Sequence, residues 1–198
     1  MARKCQSGEV MAKRPWFDRG FVLHWSQEYT TKSGYASEET ALLEVVGPQI
    51  QKRGWYTVPD LRRVNRWKLP TERNRKRLLW NRTEVIRSVT AEALAAPLEE
   101  QSTIMQRLHG VGPAVASSLL MFPQPHRHTI IDFRAVGALE RLQEKGQLDE
   151  QLPWASCGLH LPDYLTYLGV CHRLAQSLDV GLRDLDRSLW QWHRNGTP

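Results

Sequence analysis

Two short stretches of this 198-residue chain combine residue types and spacing that can do chemistry. One is Leu108-His109-Gly110-Val111-Gly112-Pro113-Ala114-Val115-Ala116, and the other is Ile130-Ile131-Asp132-Phe133-Arg134. Gly110 and Gly112 can both take φ > 0 and admit a close backbone neighbour. Pro113 suits the first turn of a helix, where its missing N–H costs nothing, and Val115, Ala116, Leu119 and Leu120 continue at helical spacing. Such a turn aims free N–H groups outward at the positive end of a helix dipole, which binds phosphate oxygens. An ordinary helix–helix turn with glycines at the C-cap fits the same letters. Asp132, 22 positions beyond Gly110, supplies a carboxylate just ahead of a helix, where Asp is also a favoured N-cap.

Other polar groups are weaker candidates. His126 and His128 have His-x-His spacing, but prolines surround them and no third metal ligand is near. Cys171-His172 makes a poor nucleophile pair. Tyr164 and Tyr167 read as core, and Arg134 reads as a phosphate contact or a partner for Asp132.

The elements that position these residues read as helices throughout. Ser37-Glu38-Glu39 looks like a helix start with acids at the positive dipole end, ahead of an apolar stripe from Ala41 to Ile50. Thr57-Val58-Pro59-Asp60 resembles a capping box and leads into Leu61 and Val64. Leu69-Pro70-Thr71 breaks the chain. Leu78 to Val89 provides one or two helices, Pro97 starts another, Phe133 to Leu142 continues past Asp132, and Lys145-Gly146 ends that helix. Residues 146–160 read as a loop. Two final helices run through Tyr164–Ala175 and Leu182–Trp192. Residues 1–36 show no clear period and are expected to be a partly ordered N-terminal arm, with residues 37–198 forming one helical domain.

Composition narrows the class. At 41% hydrophobic residues the chain can build a core. No segment approaches 18 uncharged apolar residues, so no membrane span is expected. Its first residues lack the apolar run of a signal peptide. Three cysteines, Cys5, Cys157 and Cys171, suit a reducing cytoplasm without a disulfide framework. The formal charge of +6 is uneven: residues 52–87 hold twelve Lys and Arg against three acids, a net of +9, which leaves −3 elsewhere. Trp55, Tyr56, Trp67 and Trp80 are interleaved with these cations. Aromatics among cations suit stacking on an extruded base and contact with its phosphates, although a single Trp more often packs in a core. Arg73, Arg75, Lys76 and Arg77 are the candidate phosphate contacts, and Trp67 and Trp80 the candidate base pocket.

Leu108, Gly110, Val111, Gly112, Ala116 and Asp132, with the Gly110-to-Asp132 spacing, resemble the helix-hairpin-helix DNA glycosylases of the endonuclease III type. The resemblance covers about residues 100–142. It implies an all-α fold, a two-lobed helical bundle whose cleft faces the hairpin and the acid. It also implies that the N–H groups of Gly110, Gly112 and Ala114 hold a phosphate, and that the carbonyls of Gln106, Leu108 and Val111 hold a monovalent cation. Asp132 would stabilise an oxocarbenium-like sugar cation and activate water. Two departures are informative. Ala114 stands where bifunctional members carry a nucleophilic lysine, which points to the monofunctional, water-using branch. The cysteines are too few and wrongly spaced for the iron–sulfur loop of many members. His109 stands where proline is usual. The expectation is a monomeric base-excision repair protein, a DNA N-glycosylase on double-stranded DNA with no cofactor beyond that cation. A non-catalytic DNA-binding module and a helical protein-interaction adaptor remain open beside it.

Overall fold

The computed structural model describes residues 16–69, 71–78, 80–149, 151–154 and 160–196, with the side chains of residues 73–75 outside the description. Among the described residues every regular element is helical. In chain order these are α1 (Arg19–Lys32), α2 (Ala36–Ala41), a π-helical turn (Leu42–Val46), α3 (Gly47–Arg53), α4 (Val58–Lys68), α5 (Glu72–Leu78), α6 (Thr83–Ala95), α7 (Leu98–Met105), α8 (Pro113–Met121), α9 (Phe133–Glu144), α10 (Tyr164–Ser177) and α11 (Leu182–Arg194).

Local sequence explains the starts and stops. The capping box at Thr57 forms as expected: Thr57 Oγ1 accepts the Asp60 N–H at 3.2 Å, and Asp60 Oδ2 accepts the Thr57 N–H at 3.0 Å. Gly146 stands at φ +64° just past the end of α9, a conformation that glycine adopts without a Cβ penalty. The α8 helix is buried along almost its whole length, as its apolar and small residues on every face allow. It forms the centre of one continuous core with Tyr56, Leu61, Val64, Leu108, Ile130, Ile131, Leu139 and Tyr167. No described helix is long and apolar enough to cross a membrane.

One expectation needs correction. The stretch assigned to a partly ordered arm contains α1, capped by Asp18, whose Oδ1 accepts the Phe21 N–H at 2.8 Å. Val22, Ser26 and Tyr29 lie on one buried face of α1, which packs along α11. That spacing is helical, but its polar and aromatic members hide the stripe. Residues 1–15 lie outside the described residues. At Ser37-Glu38-Glu39 the expected helix start is present: the helix begins at Ala36 after an N-cap, Tyr35, that makes no side-chain bond, and Glu38 and Glu39 fall in its first turn. Glu38 pairs with Arg63 at 2.6 Å, and Glu39 is fully buried.

Candidate active site and nucleic-acid interface

The hairpin between α7 and α8 is built from two different glycines. Gly110 has φ +80°, whereas Gly112 is the N-cap of α8 in an extended conformation, φ −99° and ψ −178°. Only Gly110 therefore needs the left-handed region. A Cβ on Gly110 would come within 2.8 Å of Arg77 Cβ and 3.1 Å of the Leu78 nitrogen, while a Cβ on Gly112 meets nothing within 4 Å. One glycine thus docks the hairpin on the end of α5, and the other keeps an approach open. Leu108 and Val111 anchor the turn in the core. The N–H groups of Gly110, Gly112 and Ala114 find no acceptor among the described residues. The same is true of hydrogen-bond donors to the Gln106 and Val111 carbonyls, while the Leu108 carbonyl accepts the Val111 N–H at 3.1 Å.

His109 is held by Asn81. Its N–H donates to Asn81 Oδ1 at 2.8 Å, and its carbonyl accepts from Asn81 Nδ2 at 2.9 Å. A proline there would lack the first of these bonds, which accounts for the tolerance of histidine in this turn. The His109 ring stacks on Trp80, with centroids 4.7 Å apart and planes 21° apart.

Asp132 is placed by ties from α8 and α10. The Ile131 N–H donates to Ser117 Oγ at 3.2 Å, and Tyr167 donates its hydroxyl to the Ile130 carbonyl at 3.2 Å. Asp132 then caps α9, with Oδ1 accepting the Arg134 N–H at 3.0 Å, and pairs through Oδ2 with Lys68 Nζ at 2.9 Å. Burial pushes its pKa up, but the Lys68 ammonium and the Arg134 N–H outweigh that and hold it below the usual carboxylate range.

Asp132 and Lys68 line a cavity of about 160 Å³. Its aromatic walls are Tyr29, Tyr35, Trp67 and Trp190, and its charged walls are completed by Arg134, Arg183, Asp186 and Arg187. A cavity of roughly 150 Å³ holds one benzene-sized ring. Trp67 is set edge-on against Phe122, with centroids 5.1 Å apart, and its buried Nε1–H has no hydrogen-bond partner among the described residues. Behind the cavity, Glu39 accepts Tyr29 Oη–H at 2.6 Å, Arg183 Nη2–H at 2.6 Å and Arg187 Nε–H at 2.8 Å. Burial opposes ionisation of Glu39, yet these two guanidiniums hold its pKa down to about 2. Asp186 pairs with Arg183, and its burial raises its pKa to about 6. Sunken charges cost desolvation energy, and carboxyls pushed in opposite directions within one concave site mark a functional candidate.

The sequence-named residues divide between two places. Asp132 and Trp67 line the cavity. Trp80 does not: it is 71% exposed, beside the hairpin, because the turn after α5 points it away from the core. Gly110, Val111, Gly112 and Ala114 form the hairpin, with Arg77 beneath Gly110. Lys76 is exposed and pairs with Glu72 at 3.2 Å. The side chains of Arg73 and Arg75 lie outside the described residues. Part of the basic block is spent internally, in Arg53–Asp60, Arg63–Glu38 and Lys68–Asp132 pairs. Sequence reasoning missed Tyr29, Tyr35, Glu39, Arg183, Asp186, Arg187 and Trp190. Arg183, Asp186, Arg187 and Trp190 recur at i, i+3, i+4 and i+7, a single helical face, and that spacing was the available signal.

The remaining candidates are structural. His128 is fully buried between Tyr164 Oη at 3.0 Å and Gln101 Oε1 at 2.6 Å. Cys171 is buried, and burial raises its thiol well above the ordinary range. Cys5 and Cys157 lie outside the described residues. No group of three or more His, Cys, Asp or Glu among the described residues is arranged to hold a metal ion. The chain matches no family model, no curated protein and no solved structure.

Proposed function

We propose that this chain is a monofunctional DNA N-glycosylase of the helix-hairpin-helix type, a base-excision repair enzyme with its cleft between two helical lobes. The observation that carries the reading is Asp132: an ionised carboxylate in the wall of an aromatic-lined cavity of about 160 Å³, tied through Ile131 and Ser117 to the helix that follows a phosphate-binding turn.

Each part has a role in that chemistry. The free N–H groups of Gly110, Gly112 and Ala114 grip a phosphate of double-stranded DNA, with Lys76 and Arg77 adding a sequence-independent attraction. An extruded base enters between the aromatic walls. As its glycosidic bond breaks, positive charge develops on the sugar, and Asp132 stabilises it and orients the attacking water. Ala114 offers no amine, so water is the nucleophile at the hairpin.

The Lys68–Asp132 ion pair favours a second reading. An acid already neutralised by an ammonium and engaged as a helix cap suits a non-catalytic DNA-binding module. One experiment separates the two. Duplexes carrying different damaged or mispaired bases are incubated with the protein, then heated in alkali to cleave abasic sites. The glycosylase reading expects strand breaks with one class of lesion, and Asp132→Asn should abolish them while duplex binding persists. Full activity in that variant refutes the role of Asp132. Salt-sensitive duplex binding with no base release from any lesion replaces the enzyme with the binding module.

A further inference from the structure

A second concavity opens beside the cavity, and part of its charge is unspent. It is a groove of about 700 Å³ between α4 and the turn that joins α1 to α2. Tyr35 and Trp67 line both spaces, so two rings form a partition between them. Among the described residues lining the groove the acid is Glu38, and its two oxygens accept from Arg63 at 2.6 and 3.2 Å. Those bonds hold its carboxyl below the usual carboxylate range. Arg62 and Arg66 remain. Both are exposed on the groove, and neither makes a hydrogen bond or ion pair with a described residue.

The spacing indicates the ligand. Arg62 and Arg66 are four residues apart, on one face of α4 and roughly 6 Å apart along its axis. Unpaired like charges at that spacing repel, and an anion lying across both removes the repulsion. A guanidinium presents its N–H groups as a planar fork that matches phosphate oxygens. The other cations of this helix are engaged, Arg63 with Glu38 and Lys68 with Asp132. Lys68 and Asp132 stand in the cavity wall. One helix therefore carries free guanidiniums along the groove and ends beside the acid.

We infer that the groove is a second phosphate site, separate from the hairpin, in which Arg62 and Arg66 clamp one phosphodiester of the strand whose base has entered the cavity. It rests on the glycosylase reading, in which a nucleotide is extruded. Tyr35 and Trp67 then stand between base and backbone, with the base on one side of the partition and the phosphate on the other. A strand gripped at both the hairpin and the groove presents its sugar to Asp132 in one orientation.

The test uses the full chain and a labelled duplex with a central tetrahydrofuran abasic-site analogue, read by fluorescence anisotropy between about 50 and 200 mM salt. Arg62→Ala/Arg66→Ala should bind about tenfold more weakly, the loss of one charge-assisted phosphate contact. Its slope of log affinity against log salt should be shallower by about 1, one counterion fewer released. Lys52→Ala/Lys145→Ala removes the same charge from exposed residues off the groove and should leave affinity and slope nearly unchanged. Single methylphosphonate linkages, placed in turn around the analogue, should reveal one position that weakens wild type about tenfold and the double arginine variant no further. That variant should melt with wild type, because neither arginine is paired. Equal losses in the lysine control, or linkages that weaken wild type and the arginine variant alike at every position, overturn the inference and leave the glycosylase reading to the lesion screen. Inorganic phosphate that raises the Tm of wild type but not of the arginine variant, with no such position in the scan, assigns the groove to a free anion and also overturns it. If wild type binds no duplex, the glycosylase reading fails and the inference with it.

Discussion

Replacing Gly110 or Gly112 by alanine adds the same methyl group to two positions two residues apart, with opposite expected consequences. At Gly110 the residue sits at φ +80°, and an L-residue in the left-handed region costs about 1–2 kcal/mol. The new Cβ also falls 2.8 Å from Arg77 Cβ and 3.1 Å from backbone atoms of Arg77 and Leu78, so α5 must give way. The combined cost should be about 2–3 kcal/mol. For a chain of this size that is a fall of roughly 4–12 °C in Tm. At Gly112 the backbone is extended and a Cβ meets nothing within 4 Å, so Gly112→Ala should leave Tm within about 3 °C of wild type and can raise it by restricting the unfolded chain. Duplex affinity reverses the order of interest: Gly112→Val, still in open space, should keep the fold and weaken DNA binding, because its side chain fills the approach to the free N–H groups. Thermal unfolding and duplex anisotropy on the same protein preparations decide it. A Gly110→Ala variant that melts with wild type refutes the docking of the hairpin on α5. A stable Gly112→Val variant with unchanged duplex affinity removes the hairpin from the interface.

Two further outcomes concern the buried polar groups. Glu39→Gln leaves Arg183 and Arg187 without their shared carboxylate and should cost about 3 kcal/mol or more, a fall of roughly 6 °C or greater in Tm; a variant that melts with wild type refutes the electrostatic account of the cavity wall. His128, whose burial holds its pKa down to about 4, binds fewer protons folded than unfolded, so its contribution should be intact above pH ~6.5 and lost as pH falls toward 4, by about 3 kcal/mol. Asp186, raised to about 6, gains stability over the same range, so the readout is the difference: in urea unfolding between pH 7 and 4, wild type should lose about 3 kcal/mol relative to a His128→Gln variant, and parallel profiles would exclude His128 as a titrating group.

The parts of the site that were legible in the letters are those whose physics is local. A glycine turn, a proline at a helix start and an acid before a helix are each determined by their neighbours, and the hairpin, the α8 start and the Asp132 cap stand where those rules put them. The capping box at Thr57 is of the same kind. What could not be read is the assembly of the cavity, because its walls come from α1, α4, α9 and α11 and from the chain around Tyr35 and Ile130. Arg183, Asp186 and Arg187 look like a solvated helix face, and are drawn inward because α1 lies along α11 and Glu39 arrives from α2 to pair with both arginines. The basic block misled in a related way. Charge counts give a sum, not a direction, and Lys68 turns out to spend its charge on Asp132 while Trp67 and Trp80, 13 residues apart, go to different surfaces. The exposed side of that block nevertheless keeps company with the hairpin, since Gly110 docks on the end of α5. The hairpin and the acid share one element: α8 carries the hairpin at its start and, through Ser117, holds the segment that ends in Asp132. In the proposed function, that tie is what would register a strand gripped at the turn against the carboxylate, so Ser117→Ala should reduce base release more than duplex affinity, and equal losses in both would refute the tie.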